Sequence, residues 1–211
     1  MRVALYAESS ADEAALGIIS EAVLGVAIEP VGHAGLRHRG WPAVRTALRS
    51  ILLELHYHTD AEGFVFIVDS NGSTPHLPAH NLADAHDPTC RLCELRQIAL
   101  AVQRQVRPRP HLPPLKIALG TAVPAIEAWL LCGMNHQVSE ATWLNGIRQG
   151  QIPYSRPDLK NQLYGTTRPS LAVETEVMTQ RASHLAANLQ NLRAQFPNGF
   201  GALHADLMNW K

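Results

Sequence analysis

The chain has 211 residues, a normal apolar fraction of 46%, and 18 Lys+Arg against 18 Asp+Glu. Such a length can bury one substantial core, and the charge balance supplies no global field for nucleic acid, so any such contact needs a local patch. No apolar run approaches a membrane span, "MRVALYAESS" meets a glutamate too early for a secretory leader, and an odd three cysteines argue against a disulfide framework; a cytoplasmic protein with no membrane partner is expected.

Taken in chain order, "RVALYA" reads as a first strand, and the following segment as a helix with Leu16, Ile19 and Val23 on one face. Ser10 and Glu13 have the spacing of a capping box, which predicts a helix start near Ser10. "GVAIEPVGH" is a short second strand or extended loop. Val44, Leu48, Leu52 and Leu55 then recur at helical spacing, with Pro42 suited to the first turn. "GFVFIVDSNG" holds five apolar residues in a row, the pattern of a strand buried on both faces, before it reaches Asp69.

Residues 73–89 have loop composition. Leu92, Leu95, Ile98, Val102 and Val106 mark another helix, and the arginines spread from Arg91 to Arg109 read as its solvated face. "LKIALGTA" is a further strand, and Pro124 is placed at the start of a short helix ending before Gly133. Beyond it come "SEATWLNGIRQG", a connector, and a long helix ending near Phe196. The alternation of strand and helix predicts an α/β fold with a mostly parallel sheet flanked by helices over residues 1–135, and a helical C-terminal extension over 136–211 packed on it.

Chemistry in an open α/β sheet gathers beyond the carboxyl ends of the strands. Glu8, Asp69 and Glu127 sit at or near such ends, and Asp12 follows Glu8 by about one helical turn. Hard oxygen donors from separate segments suit Mg²⁺ or Mn²⁺. Each acid also has a plainer reading: Asp12, Glu13 and Glu127 as partners of a helix dipole, and Asp69 as the start of an Asp-Ser-Asn-Gly turn.

"ALYAESSADEAAL" resembles the first motif of TOPRIM domains, "FVFIVDSNG" their strand ending in Asp-x-Asp, and "VPAIEAWLL" the signature of small TOPRIM-like proteins found near phage-defence and mobile-element genes, which are related to overcoming-lysogenization-defect nucleases. The resemblance implies a Rossmann-like TOPRIM domain in which Glu8, Asp69 and Glu127 are catalytic and Glu8, Asp12, Asp69, Asn71 and Glu127 hold the ion. Asn71 stands where the motif has an aspartate, which removes one negative charge, and Ser9 replaces the usual glycine. The function so implied is a Mg²⁺-dependent nuclease acting on nucleic acid, used in anti-phage defence. A catalytically degenerate partner subunit of a larger effector is the first alternative.

Cys90-x-x-Cys93, with His80 and His86 upstream, can chelate Zn²⁺, and a zinc-stabilised binding module is the second alternative. Cys132 reads as core. His33, Arg37, His38 and Arg39 are candidate phosphate-binding residues or ordinary loop polarity, and His76, beyond the Asp69 loop, is a further phosphate-binding candidate that also reads as a proton donor, a metal ligand or a surface loop residue.

Overall fold

Strand β3 (Gly63–Asp69) is buried at every position, so Phe64, Val65, Phe66, Ile67 and Val68 each contribute on the order of 1.5–3 kcal/mol of burial. A strand covered on both faces belongs in the middle of a sheet, and there it lies in the computed structural model, which describes residues 1–32, 41–82 and 86–211. The sheet has four parallel strands: β1 (Arg2–Tyr6), β2 (Glu29–Pro30), β3 and β4 (Lys116–Ala122), ordered β2-β1-β3-β4. The α/β reading holds, and β2 keeps its proline at an edge, where a missing N–H does least harm.

The register pairs Tyr6 with Phe66 and Asp69 with Ala122, so β3 and β4 run beyond the end of β1. From β1 the chain leaves toward β2, and from β3 it leaves toward β4. The connections thus diverge between β1 and β3, and such a divergence opens a crevice at the carboxyl ends of the two strands.

Helix α1 (Ser10–Leu24) covers one face and packs on Val3, Val65 and Ile67; α2 (Trp41–His58) and α3 (Arg91–Gln105) cover the other, against Ala4, Phe64, Phe66 and Val68. The expected capping box exists one residue earlier than its predicted partners. Ser9 Oγ accepts from Asp12 N at 3.1 Å, and Asp12 Oδ2 accepts from Ser9 N at 2.9 Å. Pro124 lies ahead of α4 (Ile126–Leu130), whose N-cap is Ala125.

The C-terminal region is a set of shorter helices: α5 (Glu140–Arg148), α6 (Arg156–Tyr164), α7 (Leu171–Ala186), α8 (Leu189–Gln195) and α9 (Phe200–Met208). The single long helix expected to end near Phe196 is interrupted at Asn188, whose side chain accepts from Asn191 N and caps α8. Met178, Ala182, Leu185, Phe200, Leu203 and Leu207 join α1 and the sheet in one hydrophobic cluster. On the outer edge of β4, Asp206 Oδ2 accepts from Leu119 N at 3.1 Å, which satisfies a donor that would otherwise recruit another strand. No helix among the described residues is long and apolar enough to cross a membrane.

Candidate functional site

Two groups of chemically active side chains flank the end of β3. In the first, Asp69 terminates the strand with its carboxylate turned toward α4, where Oδ1 accepts from Ile126 N at 3.1 Å. This bond caps a helix whose own N-cap, Ala125, offers no acceptor. Glu127, one residue into that helix, is 3% exposed, and its Oε2 has no hydrogen-bond partner. Glu8 lies beyond β1 and Asp12 in the first turn of α1.

The four acids lie near enough to bear on one another's ionisation. Arg156 bridges two of them, with Nη2 at 2.9 Å from Asp69 Oδ2 and Nη1 at 3.4 Å from Glu8 Oε2. The Asp69 contact is an ion pair without hydrogen-bond geometry, since Oδ2 stays without a hydrogen-bonding donor. Lys160 Nζ stands 3.6 Å from Glu127 Oε1 and 2.7 Å from Glu174 Oε1. Two cations therefore lie among the carboxylates, and no three of these acids bring ligand atoms within 4.8 Å of one another.

Crowded, buried acids resist ionisation. Burial, reinforced by Glu127, pushes the Asp12 carboxyl up to about 7. Asp69 is raised well above the ordinary carboxylate range, first by burial and then by Glu8, while Arg156 opposes the rise. Burial alone would lower the Arg156 guanidinium, but Asp69, Glu127, Glu8 and Asp12 outweigh it and raise it. Burial likewise raises the Tyr164 phenol, with Glu127 adding to it, so that it stays neutral.

Arg156, Lys160 and Tyr164 are the residues that the sequence reading missed. Their signal was present: positions four apart in α6 share one helix face, and Ser155 with Asp158 forms the capping box that starts the helix. Asn71 sits exposed in the turn after β3 with φ 49°, a left-handed conformation that asparagine tolerates better than most residues. That position accounts for the amide on turn grounds alone.

The second group comprises His76, His80, Cys90 and Cys93, whose ligand atoms all lie within 4.8 Å of one another and can hold a metal ion. It corrects two expectations. His86 is exposed and stands outside the group. His76 does not turn over the acidic cleft as a phosphate-binding residue would. It is 3% exposed, with Nδ1 at 3.6 Å from both cysteine sulfurs. The overlooked signal is His76-x₃-His80, a usual histidine-pair spacing in zinc sites.

The arginine run is also less solvated than expected. Arg91 donates to the Asp69 carbonyl and lies over the Trp41 ring, and Arg96 pairs with Asp206 at 3.4 Å. Cys132 is buried, as anticipated. His33, Arg37, His38 and Arg39 lie outside the described residues.

No protein-family model, curated protein or solved structure matches this chain.

Proposed function

We propose that the acidic cleft is the centre of a TOPRIM-like, Mg²⁺- or Mn²⁺-dependent phosphodiester hydrolase that acts on nucleic acid, with anti-phage defence as its cellular use. One observation carries the reading: acids from three strand ends converge at the switch point of a parallel sheet, and a buried Glu127 oxygen there has no hydrogen-bond partner. The donors are hard oxygens, which fit these ions and no soft metal. When bound, such an ion supplies Lewis acidity toward a phosphoryl oxygen and acidifies its water.

Glu8, Asp69 and Glu127 would hold it once Arg156 and Lys160 move off them, since no three of the acids meet within 4.8 Å as they stand. Once Asp12 and Asp69 are ionised, the four acids outnumber Arg156 and Lys160 and leave negative charge for a dication to neutralise. Asp12, with its raised pKa of about 7, is suited to accept a proton near neutrality. In this reading Arg156 and Lys160 exchange their carboxylate partners for phosphate oxygens, the guanidinium in its two-pronged geometry. The C-terminal region thereby supplies the substrate-facing charge. The donor set of the His76, His80, Cys90 and Cys93 group suits Zn²⁺ instead, apart from the hydrolytic step.

A second reading has its own support. Arg156 and Lys160 already partly neutralise the cleft, as expected of a degenerate, binding-only partner subunit. Strand-cleavage assays with Mg²⁺ and Mn²⁺ decide between them. The hydrolase reading expects Glu8→Gln and Asp69→Asn to lose at least a hundredfold in rate, a loss typical of removing a principal transition-state stabiliser. Equal cleavage by the wild type and both variants, or none by any of them, overturns it in favour of the second.

A further inference from the structure

We propose that a Zn²⁺ ion on His76, His80, Cys90 and Cys93 is a structural brace that fixes the loop after β3 and seats Arg91 against the end of that strand. The proposal rests on the Zn²⁺ reading above and is independent of hydrolysis. Two thiolates and two imidazoles are the donors of a closed tetrahedral site. With bonds of about 2.3 Å to sulfur and about 2.0–2.1 Å to nitrogen, the sulfur–nitrogen edge of such a tetrahedron is about 3.6 Å. The three sulfur–nitrogen separations on Cys90–His76, Cys93–His76 and Cys93–His80 are each 3.6 Å.

The outer contacts support the same assignment. His76 Nε2 is 3.1 Å from Asn81 Oδ1, an acceptor that leaves Nδ1 free of its proton and turned to the cysteines. His80 Nε2 lies 3.7 Å from Asp87 Oδ2, a carboxylate behind a ligand histidine. Asp87 is itself held by Thr89, whose hydroxyl meets Thr74 at 2.6 Å. Four protein ligands leave no open position, and His76, Cys90 and Cys93 are buried, so the site is structural in kind.

Its place in the chain gives it work to do. The described residues between β3 and α3, 70–82 and 86–90, carry a 3₁₀ turn at Pro78–Asn81 and little other regular structure, and an ion on His76, His80, Cys90 and Cys93 would tie them together. Cys90 precedes α3 without making a side-chain cap, and the next residue, Arg91, reaches the Asp69 carbonyl. An ion on Cys90 and Cys93 therefore fixes the first turn of α3 and, through Arg91, the backbone from which Asp69 projects.

The full chain, purified without a histidine tag, should contain one zinc per molecule. X-ray absorption should show two sulfur and two nitrogen neighbours. His76→Ala and Cys93→Ser should lose the metal, whereas His86→Ala, Glu8→Gln and Asp69→Asn should keep it. Absence of zinc, a different donor count in the wild type, or equal loss in His86→Ala overturns the site; the absorption measurement needs no variant to fold. For the brace, zinc removal should raise amide exchange at least tenfold across residues 70–95 and leave β1 and α1 protected. A zinc-loaded protein whose exchange is unchanged on removal keeps the site and overturns the brace.

Discussion

Asp12 carries two conflicting demands. Its Oδ2 accepts from Ser9 N to close the capping box that starts α1, while burial and Glu127 make its negative charge costly. The sign of the consequence follows from linkage. The folded carboxyl titrates near 7 and the unfolded one near 3.9, so between these values the native state binds more protons. Stability from this group is greatest below about 4, falls as pH rises toward 7, and levels off above. Asp12→Asn keeps a side-chain oxygen for Ser9 N without the charge. It should raise the urea midpoint at pH 8 by the equivalent of about 1–4 kcal/mol and change it little at pH 4. A uniform loss across pH would show that the cap, not the charge, dominates. Asp69 is the counter-case, because its carboxylate caps α4 and pairs with Arg156. Asp69→Ala removes the α4 cap and the nearest partner of a part-exposed Arg156, and should destabilise by about 1–3 kcal/mol in thermal unfolding.

At the scale of elements, α9 is tied to β4 by contacts that leave little freedom. Glu140, buried at the start of α5, accepts from Asn198 N at 2.7 Å and Gly199 N at 2.8 Å. Gly199 lies so close to β4 that an added Cβ would stand 2.2 Å from the Thr121 carbonyl oxygen. Gly199→Ala should accordingly lower the Tm strongly, by the equivalent of about 3 kcal/mol or more, because backbone and not a pliable side chain has to give way. A loss under about 1 kcal/mol would mean that α9 docks loosely. The same region marks where sequence reading stops. The buried run of β3, the helical spacing of α1 and α2 and the three acids at or near strand ends are legible, since each is a local pattern. The break at Asn188 is a local Asn cap that the helical spacing on either side masks, whereas the Leu119–Asp206 bond across the sheet edge and the arrival of Arg156 at Asp69 depend on contacts between residues far apart in the chain. No local periodicity encodes those. The spacing of His80 and the two cysteines is legible in the sequence, but the fourth donor is not: His86 is nearer to Cys90 along the chain yet exposed, and the fold brings in His76 instead.

Across the whole molecule, the acidic cleft joins the two regions into one electrostatic unit. Glu8, Asp12, Asp69 and Glu127 come from the sheet and the helices that follow its strands, and Arg156 and Lys160 from α6. Packing unites the same regions, because Phe200, Leu203 and Leu207 lie in one cluster with Val65 and Ile67, and Lys116 Nζ donates to the Trp210 carbonyl at 2.6 Å. A fragment of residues 1–135 would expose that apolar surface and leave the acids without their cations, and it should not fold cooperatively in circular-dichroism melts. The intact chain stores a charge imbalance that protons relieve at low pH and that a dication would relieve at high pH. An ion bound in the cleft as proposed would favour the ionised forms of Asp69, its ligand, and of Asp12 beside it, both of which have raised pKa values, so its stabilising effect should grow as pH passes upward through about 7. At a concentration one hundred times the dissociation constant, that effect is about 2.7 kcal/mol. Thermal melts with and without Mn²⁺ at pH 6 and pH 8 should therefore show a larger shift at pH 8. Glu8→Gln and Asp69→Asn should abolish the shift, while His86→Ala keeps it. A shift independent of pH, or one that survives both acid substitutions, would place the ion elsewhere and detach the cleft from metal chemistry altogether.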